Sequence, residues 1–131
     1  MAEGSAGFRV LVVDDSHAMR AFIRAALEED DDAEVVEAES GFVALRVLPQ
    51  QRFDLVVLDV NMPDINGLEL IRFLRKSPTH ARVPVLVVST EASERDRERG
   101  ASLGADAFLR KPFTATELAE RVRALLAAGD R

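Results

Sequence analysis

Three acidic side chains and one lysine stand where apolar runs end. Val10-Leu11-Val12-Val13 is followed by Asp14-Asp15, and Leu55-Val56-Val57-Leu58 by Asp59. A third run, Val85-Leu86-Val87-Val88, leads into Ser89-Thr90, and a shorter one, Ala107-Phe108-Leu109, leads through Arg110 to Lys111-Pro112. Carboxylates gathered within a few ångströms oppose joint ionisation unless a cation neutralises them. Mg2+ takes oxygen ligands, keeps several waters and is typically held by one or two carboxylates plus phosphate oxygens, which suits Asp14, Asp15 and Asp59. His17 and His80 are too far apart in sequence for an i, i+4 transition-metal pair.

The lysine is informative because the chain carries fifteen arginines and only two lysines, Lys76 and Lys111. Beside Arg110, an arginine-rich sequence has a compact ammonium, suited to one point contact with a carboxylate or phosphoryl oxygen. Each feature also has a plain structural reading. An acidic pair after a strand is often a helix N-cap with its neighbour, a lone aspartate there a turn residue, and Ser89 or Thr90 a cap. Four such features at four strand ends make those readings jointly improbable, since ligands in open parallel sheets bind outside the carboxyl ends of the strands.

The elements that would position these residues alternate along the chain. Met19, Phe22, Ile23, Ala26 and Leu27 recur with helical spacing after Ser16, and the acidic block 28–32 reads as a solvated loop that ends this helix. Val35-Val36 predicts a short strand, 42–48 a short helix stopped by Pro49, and Asn61-Met62-Pro63-Asp64-Ile65-Asn66-Gly67 a turn-rich loop where function would be placed. Leu70, Ile71 and Leu74 mark a helix ended by Ser77-Pro78, 83–88 a strand, and Thr114 with Glu117 a capping box opening a helix with Leu118, Val122, Leu125 and Leu126 inside. Strand and helix alternating five times predict an α/β fold: a flavodoxin-like (βα)5 three-layer sandwich with a five-stranded parallel sheet of order 2-1-3-4-5.

At 131 residues the chain fits one domain of the usual size, about 100–150 residues. With 47% apolar and 31% charged residues it has an ordinary globular composition. A net charge of -6 disfavours direct nucleic-acid binding, which needs a basic face to displace counterions. The absence of cysteine removes disulfides and thiolate metal sites. No apolar run approaches the roughly 20 residues that span a bilayer, and the first seven residues lack signal-peptide features. The expectation is a soluble cytoplasmic protein without a membrane partner: a flexible lead over 1–7, one domain over 8–127 and a tail over 128–131.

The joint pattern resembles the receiver domain of two-component response regulators, especially the stand-alone chemotaxis type. The matching residues are Val10-Leu11-Val12-Val13-Asp14-Asp15-Ser16, Leu58-Asp59-Val60-Asn61-Met62-Pro63-Asp64-Ile65-Asn66-Gly67, Pro84-Val85-Leu86-Val87-Val88-Ser89, Gly104-Ala105-Asp106-Ala107-Phe108 and Lys111-Pro112-Phe113. The resemblance implies that Asp59 accepts a phosphoryl group from a histidine kinase, and that Asp14, Asp15, Asp59 and the main-chain carbonyl of Asn61 hold Mg2+. It implies further that Lys111 contacts the phosphoryl group, that Ser89 is the switch hydroxyl with Thr90 as runner-up, and that Phe108 is the switch aromatic, turning from exposed to buried. Lys111-Pro112 is expected to be a cis peptide. Output would pass through the face formed by helix four, strand five and helix five, the chain being a phospho-acceptor and not a turnover enzyme. Asn61 and Glu91, at the mouth of the site, imply a signal that decays quickly.

Two features depart from the family pattern. Phe108 lacks the hydroxyl of the tyrosine often found at its position. The segment 93–103 has almost no apolar stripe, which predicts a weakly packed fourth helix. Three rival readings remain: a module of a longer regulator or hybrid kinase, a pseudo-receiver scaffold that takes no phosphate, and a metal-dependent phosphatase, for which 131 residues leave no cap over the site.

Overall fold

The structure, a computed structural model, describes residues 7–90 and 94–129. In chain order the elements are β1 (Phe8–Val13), α1 (His17–Asp31), β2 (Ala33–Ala38), α2 (Gly41–Val47), β3 (Leu55–Asp59), α3 (Gly67–Lys76), β4 (Val85–Ser89), α4 (Glu94–Leu103), β5 (Ala107–Arg110) and α5 (Ala115–Gly129). The strands form one parallel sheet of order β2-β1-β3-β4-β5. This is the 2-1-3-4-5 flavodoxin-like arrangement expected from the alternation.

Continuous apolar runs become central strands because both faces are covered. Val10, Val12, Leu55, Val57, Leu86 and Val88 point to one side, against Ile23 and Leu27 of α1 and Leu118 and Val122 of α5. Leu11, Val13, Val56, Leu58, Val85 and Val87 point to the other, against Ala44 of α2, Leu70, Ile71 and Leu74 of α3 and the half-buried Leu103 of α4. Burying one such aliphatic side chain contributes about 1.5–3 kcal/mol, so two cores of this size fix the strand ends firmly. Deleting one of them, as in Leu58→Ala, costs about 2–5 kcal/mol.

Side-chain caps set where the helices begin. Ser16 Oγ accepts Met19 N at 3.1 Å, Ser40 Oγ accepts Val43 N at 3.2 Å, and Asn66 Oδ1 accepts Leu68 N at 2.8 Å. At α5 the expected capping box is present in both directions: Thr114 N donates to Glu117 Oε1 at 2.8 Å and Glu117 N to Thr114 Oγ1 at 3.0 Å.

Several boundaries differ from the expectation. The acidic block does not form a loop; α1 runs to Asp31, and Asp32 closes it with φ 57°. Its last turns are held because Arg24 pairs with Glu28 at 3.1 Å and Glu28 accepts Val35 N from β2 at 3.2 Å, contacts that outweigh the adverse helix dipole. Strand β2 is longer than Val35-Val36, since the whole stretch pairs with β1. Helix α2 stops at Val47, and Pro49 lies within a 3-10 turn, Leu48–Gln50, whose first turn needs no proline N–H. Phe22 is no core residue: it is 40% exposed, with its ring 5.9 Å from that of Phe113.

The flanks show only partly. Of the expected lead, only Gly7 is among the described residues, and α5 continues to Gly129, past the expected boundary at 127. Among the described residues, no helix is long and apolar enough to cross a membrane.

Candidate functional site

The carboxyl ends of β1, β3, β4 and β5 bring the four marked positions together. Asp14 follows β1, and its N–H reaches Ala38 O of β2 at 3.1 Å, continuing the ladder. Its side chain is buried, with Oδ1 accepting Ser16 N at 2.9 Å and Oδ2 accepting Lys111 Nζ at 2.9 Å. Asp59 is the last residue of β3 and is also buried; Oδ1 accepts Asn61 N at 3.1 Å, and Oδ2 lies 3.6 Å from Lys111 Nζ. Asp15 is exposed, yet one oxygen from each of Asp14, Asp15 and Asp59 lies within 4.8 Å of the others. Lys111 is placed by the sheet edge, its N–H donating to Ser89 O at 2.9 Å, and the Lys111-Pro112 bond is cis.

The electrostatics follow from burial. The Asp59 carboxyl is pushed above its ordinary range chiefly by desolvation, with Asp14 and Asp15 adding to the rise. Lys111 and the Asn61 N–H oppose it. One ammonium among three carboxylates leaves the cluster with excess negative charge, and its donor set is oxygen only. Both properties fit a hard divalent cation and not a soft metal.

The remaining expected residues take the following places. Ser89 is buried at the end of β4, Thr90 is exposed beside it, and Asn61 is exposed at the mouth. Glu91 lies outside the described residues. Phe108 is not exposed as expected but half-buried, because Gly100 of α4 offers a face without a side chain: a Cβ there would lie 2.7 Å from Phe108 Cζ. The Arg97 guanidinium stands 5.8 Å from the ring centroid, and Arg121 Nη1 donates to Phe108 O at 2.6 Å. His17 is exposed and is not a member of the acidic cluster.

The residue pattern did not reveal three supports. Arg20 donates to Asp14 O at 2.7 Å and to Glu37 at 2.9 Å, while Arg24 and Arg20 hold the Glu37 carboxyl below its usual range despite some desolvation. Gly67 lets α3 approach β3, since a Cβ there would meet Asp59 O at 2.5 Å. Asp64 reaches from the loop after β3 to α2, accepting Gly41 N at 3.2 Å and Phe42 N at 2.9 Å. A glycine at each close approach was the available signal; the arginine and aspartate contacts span elements and leave no local trace.

Residues 10–123 match the response regulator receiver domain family. This chain belongs to the response regulator receiver family. A receiver of this kind is the phosphorylatable partner in two-component signalling, and receiver domains accept phosphoryl groups from histidine kinases. The chain is 44% identical over 132 residues to a probable transcriptional regulatory protein of a Picosynechococcus strain, an alignment covering 95% of this chain and 51% of that protein. The receiver thus spans about half the length of that curated relative. Among solved structures it resembles the chemotaxis protein CheY4 of Vibrio cholerae (TM-score 0.87, 32% identity, 92% of this chain and 99% of the other). It also resembles the receiver domain of the sensor histidine kinase PA1611 of Pseudomonas aeruginosa (TM-score 0.84, 28% identity, 93% and 99% covered), solved with a magnesium ion coordinated in its active-site cleft.

Proposed function

We propose that Asp59 is the phosphoryl acceptor of this receiver and that Asp14, Asp15, Asp59 and the main-chain carbonyl of Asn61 hold Mg2+. The observation that carries this reading is the half-buried Lys111 ammonium, 2.9 Å from Asp14 and 3.6 Å from Asp59, beside three carboxylate oxygens within 4.8 Å of one another. An oxygen of Asp59 attacks the phosphorus of a kinase phosphohistidine; the new P–O bond forms as the P–N bond breaks, and the imidazole nitrogen keeps the electron pair. Lys111 faces the oxygens that gain charge, so the protein contributes mainly position and electrostatic stabilisation. When bound, Mg2+ supplies neutralisation of the carboxylate and phosphoryl oxygens.

Once formed, the acyl phosphate presents acceptor oxygens near Ser89, and a new hydrogen bond there draws the hydroxyl inward. Phe108 follows into the space released and moves off the Gly100 face of α4. Output then passes through α4, β5 and α5, where Arg97, Arg110 and Arg121 are exposed around Phe108. Incubating the chain with Mg2+ and a small phosphoryl donor or beryllofluoride tests the reading. Wild type gains one acyl phosphate by mass and shifts the Phe108 resonances, whereas Asp59→Asn does neither; modification of the Asp59→Asn chain to the same extent as wild type would exclude Asp59 as acceptor.

A further inference from the structure

The loop that carries Asn61 is attached to α2, a helix that supplies none of the proposed site residues. Three contacts pin the loop. Asn61 N donates to Asp59 Oδ1, Gly67 N donates to Val60 O at 3.0 Å, and the Asp64 carboxylate receives both Gly41 N and Phe42 N from the first turn of α2. The first two are local; the middle of the loop is tied to the rest of the fold by Met62, buried in the same core as Ala44 of α2 and Leu70 of α3, and by Asp64, whose hydrogen bonds reach the first turn of α2. The fit is close: a Cβ on Gly41 would stand 2.7 Å from Ile65 Cβ, and Ile65 neighbours Asp64. Helix α2 has a separate cap in Ser40, so Asp64 is not needed to start it.

Resting on the function proposed above, we infer that Asp64 is a positioning residue, which clips the loop between β3 and α3 to α2 and so holds the Asn61 main chain where its carbonyl meets the metal. Asp64 is exposed, but its carboxyl is held below the ordinary range chiefly by the Phe42 N–H, so it is a charged acceptor at neutral pH. Without the clip, the loop keeps its local hydrogen bonds and the buried Met62 but is freer on the side facing α2, and metal binding must order that part again. Removing an outer contact that orients a ligand lowers metal affinity by roughly 10- to 100-fold. Helix α2 thereby becomes an input to the site: a partner that displaces its first turn weakens metal binding from a distance, and tight metal binding resists that displacement.

The test is an Mg2+ titration of the full 131-residue chain, followed by amide chemical shifts without any phosphoryl donor. Asp64→Ala raises the Mg2+ dissociation constant about tenfold. Gly41→Ala, which keeps the carboxylate but pushes the loop away, moves it in the same direction. Asp64→Asn, which retains an acceptor oxygen, recovers most of the affinity. Ser40→Ala removes the other cap of α2 and leaves the affinity within about twofold of wild type, as expected for an independent contact. Amide exchange at Gly41 and Phe42 speeds up in Asp64→Ala. Wild-type affinity in Asp64→Ala, or an equal loss in Ser40→Ala, overturns the positioning role. A wild-type chain that binds neither Mg2+ nor beryllofluoride overturns the proposed function itself.

Discussion

Replacing Lys111 by methionine removes the cation observed between the two buried aspartates while keeping most of the side-chain volume. Lys111 Nζ lies 2.9 Å from Asp14 Oδ2 and 3.6 Å from Asp59 Oδ2, and the three side chains are 11%, 1% and 8% exposed. At an effective dielectric constant near 20, unit charges so close attract by about 4–6 kcal/mol per pair. The net loss is smaller, because desolvating the ammonium also carries a cost and the remaining carboxylates can bind a proton. Asp59 responds first, its carboxyl being already pushed up by burial. Breaking one partner of a buried pair typically costs about 3–5 kcal/mol; with proton uptake, Lys111→Met is expected to lose about 3 kcal/mol at pH 7.5 without Mg2+. For a domain of this size that is a fall of roughly 10 °C in Tm.

The pH dependence gives the sharper check. As the pH falls through the raised Asp59 value, wild type neutralises that carboxylate too and loses the Asp59 share of the attraction that methionine deletes, while the Lys111–Asp14 pair remains. The gap between wild type and variant therefore narrows towards acid. Urea unfolding in EDTA at pH 7.5 and pH 4.5 measures it, and millimolar Mg2+ at pH 7.5 restores part of the loss by supplying another cation. Equal unfolding free energies at pH 7.5, or a gap that stays constant on acidification, would refute the electrostatic account of the site.

Asp59→Asn should act oppositely. A raised folded-state value means that ionisation costs stability as the pH rises above about 3.8 and through the folded value, so the amide raises the metal-free Tm at pH 7, an advantage lost in acid. His80 has the reverse sign: burial first, then Arg52, depresses its value below 6.5 while its Nε2 accepts Phe53 N at 3.3 Å. Its contribution is complete above about pH 6.5 and is lost as the pH falls through the depressed value, so His80→Gln flattens the thermal-stability profile in that window. Gly67→Ala forces a methyl against Asp59 O and should cost about 1–3 kcal/mol in urea unfolding, and acetyl-phosphate labelling should slow with it. Hydrogen exchange should find α4 less protected than β1, β3 and β4, because within its described part only Gly100 is buried and Leu103 half-buried.

The legible parts of the molecule share a physical reason. Strands β1, β3 and β4 are buried on both faces, which forces an unbroken apolar run, and the first polar residue after each run lands at the sheet edge. Lys111 stood out because arginine is the default cation of this chain. The positions that were misread are those where a distant partner decides. The end of α1 depends on Glu28 reaching β2, and Phe108 is half-buried because α4 presents a glycine to it. Arg75 clamps the turn before β5 through Gly104 O at 2.6 Å and Asp106 at 3.0 Å, and His80 seats on Phe53 N. These contacts pair residues from separate parts of the chain, and no periodicity or spacing encodes them.

This division between stiff and soft parts bears on how a chemical change at Asp59 would be read elsewhere. Asp14, Asp59 and Ser89 stand at the ends of strands whose core residues are fully buried, so the site itself has little freedom to move. Phe108 is held by weaker means: it is half-buried at the margin of the core, against the bare face of Gly100, with a guanidinium 5.8 Å away, a cation–π contact worth about 0.5–1 kcal/mol at an exposed position. Shifting a two-state equilibrium from 1:99 to 99:1 takes about 5.5 kcal/mol of differential interaction. In the proposed reading, the phosphoryl group gains charge-assisted bonds to Ser89 and Lys111, each worth about 1.5–3 kcal/mol, and together these approach that figure. Such a sum could not rearrange the central strands, but it exceeds the about 1.5–3 kcal/mol that burial of a whole Phe side chain supplies, and Phe108 is only half-buried. In that reading the rearrangement falls on β5 and α4, where the Arg121 guanidinium donates to Phe108 O, a main-chain atom that a turn of the ring leaves in place.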